Sequence, residues 1–209
     1  HVRSRRQRQM CIRDRGASHG VRISKALQTL PGYGTVFTVF CLCIRGKPYE
    51  ELIWPEFSEL RTEDILLVVP FGNNIVEKKY VSFDRVARII HLTAFVPRSR
   101  EYFNRIFDSL QKKLAQFLGH IYVVTNFYRH FCCPRHNHVN FVAYQNQINK
   151  AISDRFNSQQ KVKVLDHRSL LGIPLKKARN ILEYRKLQTD SVHFRSYGTI
   201  AKRILESVL

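Results

Sequence analysis

Three short stretches of this chain carry side chains able to act together on an acyl group. The first is Gly16-Ala17-Ser18-His19-Gly20, directly ahead of apolar residues at helical spacing (Ile23, Ala26, Leu27, Leu30). A serine there has its hydroxyl near the positive end of a helix dipole and beside backbone N–H groups that favour developing negative charge. Glycines on either side let a carbonyl approach closely. Taken alone, such a serine is more often a plain helix cap. The second stretch is Gly72-Asn73-Asn74, behind the apolar run Ile65–Phe71. A carboxamide can donate to an oxyanion without bringing a charge, although an Asn-rich turn is the simpler reading of this stretch by itself. The third is Asp190-Ser191-Val192-His193, just before the last apolar helical pattern. A carboxylate three residues from an imidazole can orient it as a general base, and a spacing so short also arises by chance.

The elements that must position these groups alternate between two kinds. Thr35–Ile44, Ile65–Phe71 and Ile121–Phe127 are near-continuous β-branched and aromatic runs, as expected of strands buried on both faces, and Val162–Leu165 is a shorter one. Between them lie helical patterns at Ser18–Leu30, Ser99–Leu118, Val139–Phe156, Leu175–Leu187 and Ile200–Leu209. The second has the clearest stripe, Phe103, Ile106, Phe107, Leu110, Leu114 and Phe117, stopped by Gly119. Lys47–Leu60 is broken by two prolines and leaves room for a short helix only. Lys79–Phe83 and Arg88–Phe95 read as a hairpin inserted at the rim of the sheet. The pattern predicts an α/β sandwich around a mostly parallel sheet, with the reactive loops beyond the carboxyl ends of the strands.

In this order the three stretches resemble the conserved blocks of the SGNH hydrolases, also called the GDSL esterase/lipase family. Gly16-Ala17-Ser18 is similar to the G-D-S block, Gly72-Asn73-Asn74-Ile75 to the G-x-N-D block, and Asp190 with His193 to the D-x-x-H block. The resemblance implies a three-layer, flavodoxin-like fold with five strands in the order 2-1-3-4-5. It implies Ser18 as nucleophile, His193 as base and Asp190 as the group that orients it. It also implies an oxyanion hole from the Ser18 N–H, the Gly46 N–H and the Asn74 side chain, and a serine esterase that needs no metal or organic cofactor. Two acids of the family blocks are replaced, by Ala17 and Ile75, and neither acid is a proton-transfer residue. The family domain would span residues 16–209, with the hairpin insertion near 76–96.

Residues 1–15 are expected to stand apart. The segment Arg5-Arg6-Gln7-Arg8-Gln9-Met10-Cys11-Ile12-Arg13-Asp14-Arg15 resembles a translated sequencing adapter, which would leave the first strand of the domain truncated and Met10–Ile12 filling part of its slot. The 209 residues, 44% hydrophobic, carry +19; six arginines and one aspartate lie in the first fifteen, so residues 16–209 carry +14. A balance this basic favours an anionic ester as substrate, with His19, Arg129 and His130 as candidates for the rim of the site. It equally allows two rivals: a catalytically inactive binding module on the same fold, or a nucleic-acid-associated domain of a retroelement-type polyprotein, for which no recognised nucleic-acid motif is present. His130–His138, with Cys132 and Cys133, invites zinc, but adjacent cysteines and an H-x-H pair do not match finger spacing. Cys41 and Cys43 alternate inside an apolar run as ordinary core thiols. The lack of a disulfide framework favours a reducing, intracellular compartment. No apolar run approaches the length of a membrane span.

Overall fold

The computed structural model describes residues 10–16, 18–41, 43, 48–52, 54, 57, 61–69, 71–84, 86–87, 89–129, 135–172, 186–189 and 193–209. Five parallel strands form the sheet: β1 (Met10–Gly16), β2 (Phe37–Cys41), β3 (Ile65–Val69), β6 (His120–Val124) and β7 (Val162–Leu165), in the spatial order β2-β1-β3-β6-β7. β4 (Val81–Asp84) and β5 (Ile89–Leu92) make a separate antiparallel hairpin. Met10–Gly16 forms a strand of seven residues, longer than the partial filler expected at Met10–Ile12. Its backbone bonds on both sides, with Ile12 opposite Val39 of β2 and Ile65 of β3. The N-terminal end of the first helix, α1 (Ser18–Leu27), therefore follows from the middle of the sheet.

β3 shows why the sheet is a three-layer structure. All five of its residues are buried, and they alternate between two apolar cores. Leu66 and Val68 meet α2 (Arg100–Leu114) and α3 (Arg135–Phe156) through Phe103, Phe107, Leu110, Ile152 and Phe156. Leu67 and Val69 meet α1 (Ser18–Leu27) and the C-terminal helix through Ile23, Leu27, Ile200 and Ile204. Period-two alternation with both faces covered produces the unbroken apolar run ILLVV. Among the described residues the further α-helices are the short α4 (His167–Leu170) and α5 (Gly198–Val208).

The helix stripes fall where the apolar spacing puts them. α2 is capped by Ser99, whose hydroxyl accepts from the Tyr102 N–H at 3.2 Å, and it ends with Lys112 and Lys113 facing the negative end of the dipole. It stops at Leu114, five residues before Gly119, so that glycine is not its cap. A Cβ at Gly119 would lie 2.4 Å from the carbonyl oxygen of Asp64. Glycine is required there because two backbones meet.

The first apolar run differs from its expectation. β2 is the edge of the sheet, Phe40 is 51% exposed, and Cys41 is exposed with Cys43 half-exposed. β2 is therefore covered on one face only, and Cys41 and Cys43 are not core thiols. The edge position is invisible to composition, because a buried and a one-faced strand can share the same apolar residues. The expected helix at 175–187 lies almost wholly outside the described residues.

Candidate active site

Ser18 is the first residue of α1, immediately beyond the carboxyl end of β1. Its side chain lies outside the described residues, as do Gly46, His130 and Asp190. His19, the next residue, is buried at 5% exposure, and its Nδ1 lies 2.7 Å from the Tyr197 hydroxyl at the start of α5. Its ring centroid stands 4.9 Å from Phe127 and 5.5 Å from His193. His193 is thus brought from the far end of the chain to the start of α1.

Local hydrogen bonds explain how His193 is held. The Thr189 N–H donates to the His193 carbonyl at 2.7 Å, which closes the loop containing Asp190. Gln188 pairs with Phe194 in an isolated antiparallel bridge, and Gln188 Nε2 donates to the Tyr128 carbonyl at 2.8 Å. Tyr128 belongs to the segment that continues β6. That segment is itself pinned by two carboxamides one turn apart on α3. Asn149 exchanges bonds with the N–H and carbonyl of Asn126, and Gln145 does the same for Arg129, at 2.8–3.2 Å. Each carboxamide replaces a missing strand neighbour, so buried backbone groups stay satisfied beyond the sheet.

Asn74 is fully buried in a one-turn helix, Gly72–Asn74, just past β3. Its Oδ1 accepts from the Tyr49 N–H at 2.8 Å. Its Nδ2 donates to Glu50 Oε2 at 2.8 Å and to the Tyr102 hydroxyl at 2.7 Å. The Tyr102 hydroxyl in turn donates to Glu50 Oε1 at 2.6 Å, closing a three-residue ring. Burial pushes Glu50 upward, but the bonds from Tyr102, its own backbone N–H and Asn74 hold it below the usual carboxylate value. Tyr102 is pushed up to about 12 by burial and by its bond to Glu50, with the Arg98 guanidinium 4.3 Å above its ring. Both amide hydrogens of Asn74 are therefore engaged, which the sequence does not foretell. Its partners lie on the α2 side of the sheet, whereas the ring neighbours of His193 lie on the α1 side. The two flank the carboxyl end of β3.

Two rim candidates face inward. His19 is packed as described, and Arg129 is 8% exposed with its Nη2 donating to Asn73 Oδ1 at 2.7 Å. The Arg129 guanidinium lies over Gly72, where a Cβ would come within 3.0 Å of Nη2. Arg129 therefore braces the Gly72–Asn74 turn and is not displayed to an incoming anion. Sequence spacing misses Glu50, Tyr102 and Tyr197, because each acts through a contact made by folding. Among the described residues no group of three His, Cys, Asp or Glu could hold a metal ion, and no helix is long and apolar enough to cross a membrane.

This architecture has clear counterparts among solved structures. A member of the lipolytic G-D-S-L family from Veillonella parvula superposes with a TM-score of 0.57 over 94% of this chain and 97% of that one, at 15% identity. The fold is that of the SGNH/GDSL esterases. The acetylxylan esterase Axe2 from Geobacillus stearothermophilus shares the SGNH-type architecture at a TM-score of 0.54, 12% identity, and coverage of 95% and 94%. So does the catalytic domain of a peptidoglycan O-acetyltransferase from Streptococcus pneumoniae, at 0.52, 13% identity, and 96% and 92% coverage. No family model matches the chain, and no curated protein matches it in sequence. At such identities the likeness is one of fold. In this SGNH-type frame the Ser18 and Gly72–Asn74 segments both leave the carboxyl edge of the sheet, at adjacent strands β1 and β3.

Proposed function

We propose that the chain is a serine ester hydrolase of the SGNH type, acting on small acyl or acetyl esters. The observation that carries this reading is the 5.5 Å approach of the His193 ring to His19, the residue after Ser18, at the carboxyl edge of a parallel sheet. Ser18 attacks the ester carbonyl while His193 takes its proton, and Asp190 fixes the imidazole. The oxyanion is received by the N–H groups of Ser18 and Gly46 and by the Asn74 amide. The alcohol leaves with the proton from His193, and water resolves the acyl-enzyme with His193 again as base. The domain is residues 16–209, with the β4–β5 hairpin as its insertion. Genomic sequence upstream of Gly16 tests whether residues 1–15 are adapter-derived.

Hydrolysis of a short-chain aryl ester tests the function. Wild-type protein should turn it over, and Ser18→Ala and His193→Ala should each lower turnover by orders of magnitude, because members of one triad fail together. One observation favours a second reading, a non-catalytic binding module: both Asn74 hydrogens are already donated, to Glu50 and Tyr102. Equal rates in wild-type and Ser18→Ala proteins would select that module.

A further inference from the structure

A cleft of about 490 Å³ opens beside Asn74, between the one-turn helix Tyr49–Glu51 and one face of α2. Glu50 and Tyr102 line it, and both accept from the Asn74 amide, so one layer of side chains lies between the cleft and the proposed oxyanion donor. One wall is aromatic and apolar: the Tyr49 and Trp54 rings stand 6.1 Å apart at a steep angle, with Leu52 and Ile106 beside them. Across from them, Arg105, Ser109 and Lys113 follow one another at intervals of four on α2, a spacing that puts all three on a single face. The Lys113 ammonium sits 5.6 Å from the centre of the Trp54 ring.

Charge decides what such a cleft takes. The Glu50 carboxylate receives hydrogen bonds from Asn74 and Tyr102. Among the described residues neither Arg105 nor Lys113 pairs with a carboxylate, whereas Lys150 pairs with Asp154 and Arg155 with Asp108. Two cations beside an aromatic wall match a ligand with a flat apolar body and a single anionic group. The rings cover the body, and the guanidinium and ammonium meet the carboxylate or phosphate with charge-assisted hydrogen bonds.

We infer that this cleft is a binding site for an aromatic monoanion, seated against Tyr49 and Trp54 with its charge between Arg105 and Lys113. The binding stands by itself. That the anion is part of the ester cleaved rests on the reading of Asn74 as oxyanion donor, and it would make Arg105 and Lys113 the residues that select anionic esters.

Trp54 is the chain's one tryptophan, so its fluorescence reports on this cleft alone. The probes are 4-nitrobenzoate, a quenching aromatic anion, and 4-nitrobenzamide, its neutral isostere. In wild-type protein the benzoate should quench Trp54 saturably, with an affinity about tenfold above that of the amide, and added salt should shrink the difference. Arg105→Gln combined with Lys113→Gln should remove the preference and leave the weak quenching by the amide unchanged. Equal affinity for both probes in the wild type, or an undiminished preference in the double variant, overturns the proposal. A second arm measures labelling of the wild type by a neutral aryl fluorophosphonate: saturating 4-nitrobenzoate should slow it several-fold. If the label never attaches, the esterase reading fails while the quenching result still decides the site. If labelling proceeds at an unchanged rate with the cleft occupied, the cleft is not the seat of the ester.

Discussion

Replacing Tyr102 by Phe removes one hydroxyl from the ring that holds Asn74, and its consequences separate stability from activity. The hydroxyl donates to Glu50 at 2.6 Å and accepts from Asn74 Nδ2 at 2.7 Å. Glu50 is exposed enough for water to replace the first bond, so that loss costs little. The second is different, because Asn74 is fully buried and one of its amide hydrogens would be stranded. An unsatisfied buried donor costs about 1–3 kcal/mol, and a total near 2 kcal/mol follows. With a urea m-value of about 2 kcal/mol per molar for a domain of this size, the midpoint should fall by about 1 M. The pH dependence should change as well. Glu50 is depressed in the folded state, so it contributes stability above its unfolded value of about 4.3, and this is lost as the pH falls through the folded value. Without the Tyr102 bond the depression shrinks, and the acid limb of the stability curve should flatten. Hydrolysis should behave in the opposite sense to Asn74→Ala. The phenylalanine variant leaves an amide hydrogen available for an oxyanion, so turnover should not fall, whereas Asn74→Ala should lose about 10²–10³. A midpoint indistinguishable from wild type would refute the ring as described. Equal losses of turnover in both variants would refute the role of the amide.

Three further outcomes follow from the packing. His167 is buried against Thr125, and burial lowers it to about 3 although Asp166 lies 3.5 Å away and pulls the other way. It stays neutral in the fold while the unfolded chain takes up a proton below about 6.5, so stability should drop between about pH 6.5 and 3 at up to about 1.4 kcal/mol per pH unit. His167→Gln should flatten that slope in urea titrations at stepped pH. Gly119→Ala forces a methyl into the Asp64 carbonyl and should cost at least about 2 kcal/mol in the same assay, since backbone on backbone cannot yield cheaply. Phe156→Ala, at 0% exposure at the end of α3 and packed against Phe107 of α2, should cost about 3–5 kcal/mol and lower the thermal midpoint without changing the circular dichroism of the native state.

Much of the layer structure was legible because burial writes itself as periodicity. The stripe Phe103 to Leu114 and the run ILLVV each define one element and the side of the core it faces. The boundaries of Val162–Leu165 and the presence of the β4–β5 hairpin were legible too, although its strands are Val81–Asp84 and Ile89–Leu92 where Lys79–Phe83 and Arg88–Phe95 were expected. What composition could not carry was position within the sheet. Phe40 and Cys41 look like core residues until β2 is seen to be an edge, and Gly119 looks like a helix stop until Asp64 is seen beneath it. The candidate site divides in the same way. Ser18, His193 and the Gly72–Asn74 turn stand out because small polar residues interrupt apolar runs. Glu50 and Tyr102 reach Asn74 from 24 and 28 residues away, and no local spacing relates them. Arg129 was read as a cation at the rim of the site; Gln145 of α3 holds its backbone N–H and carbonyl, and its guanidinium donates to Asn73.

The central claim, a nucleophilic serine at the start of α1 served by His193, is most directly tested by fluorophosphonate labelling with mapping of the modified peptide by mass spectrometry. Wild-type protein should carry one adduct, on Ser18. Ser18→Ala should carry none, and His193→Ala should label far more slowly at the same folded fraction. A well-folded wild type that takes up no label, or an adduct that persists in Ser18→Ala, would contradict the account.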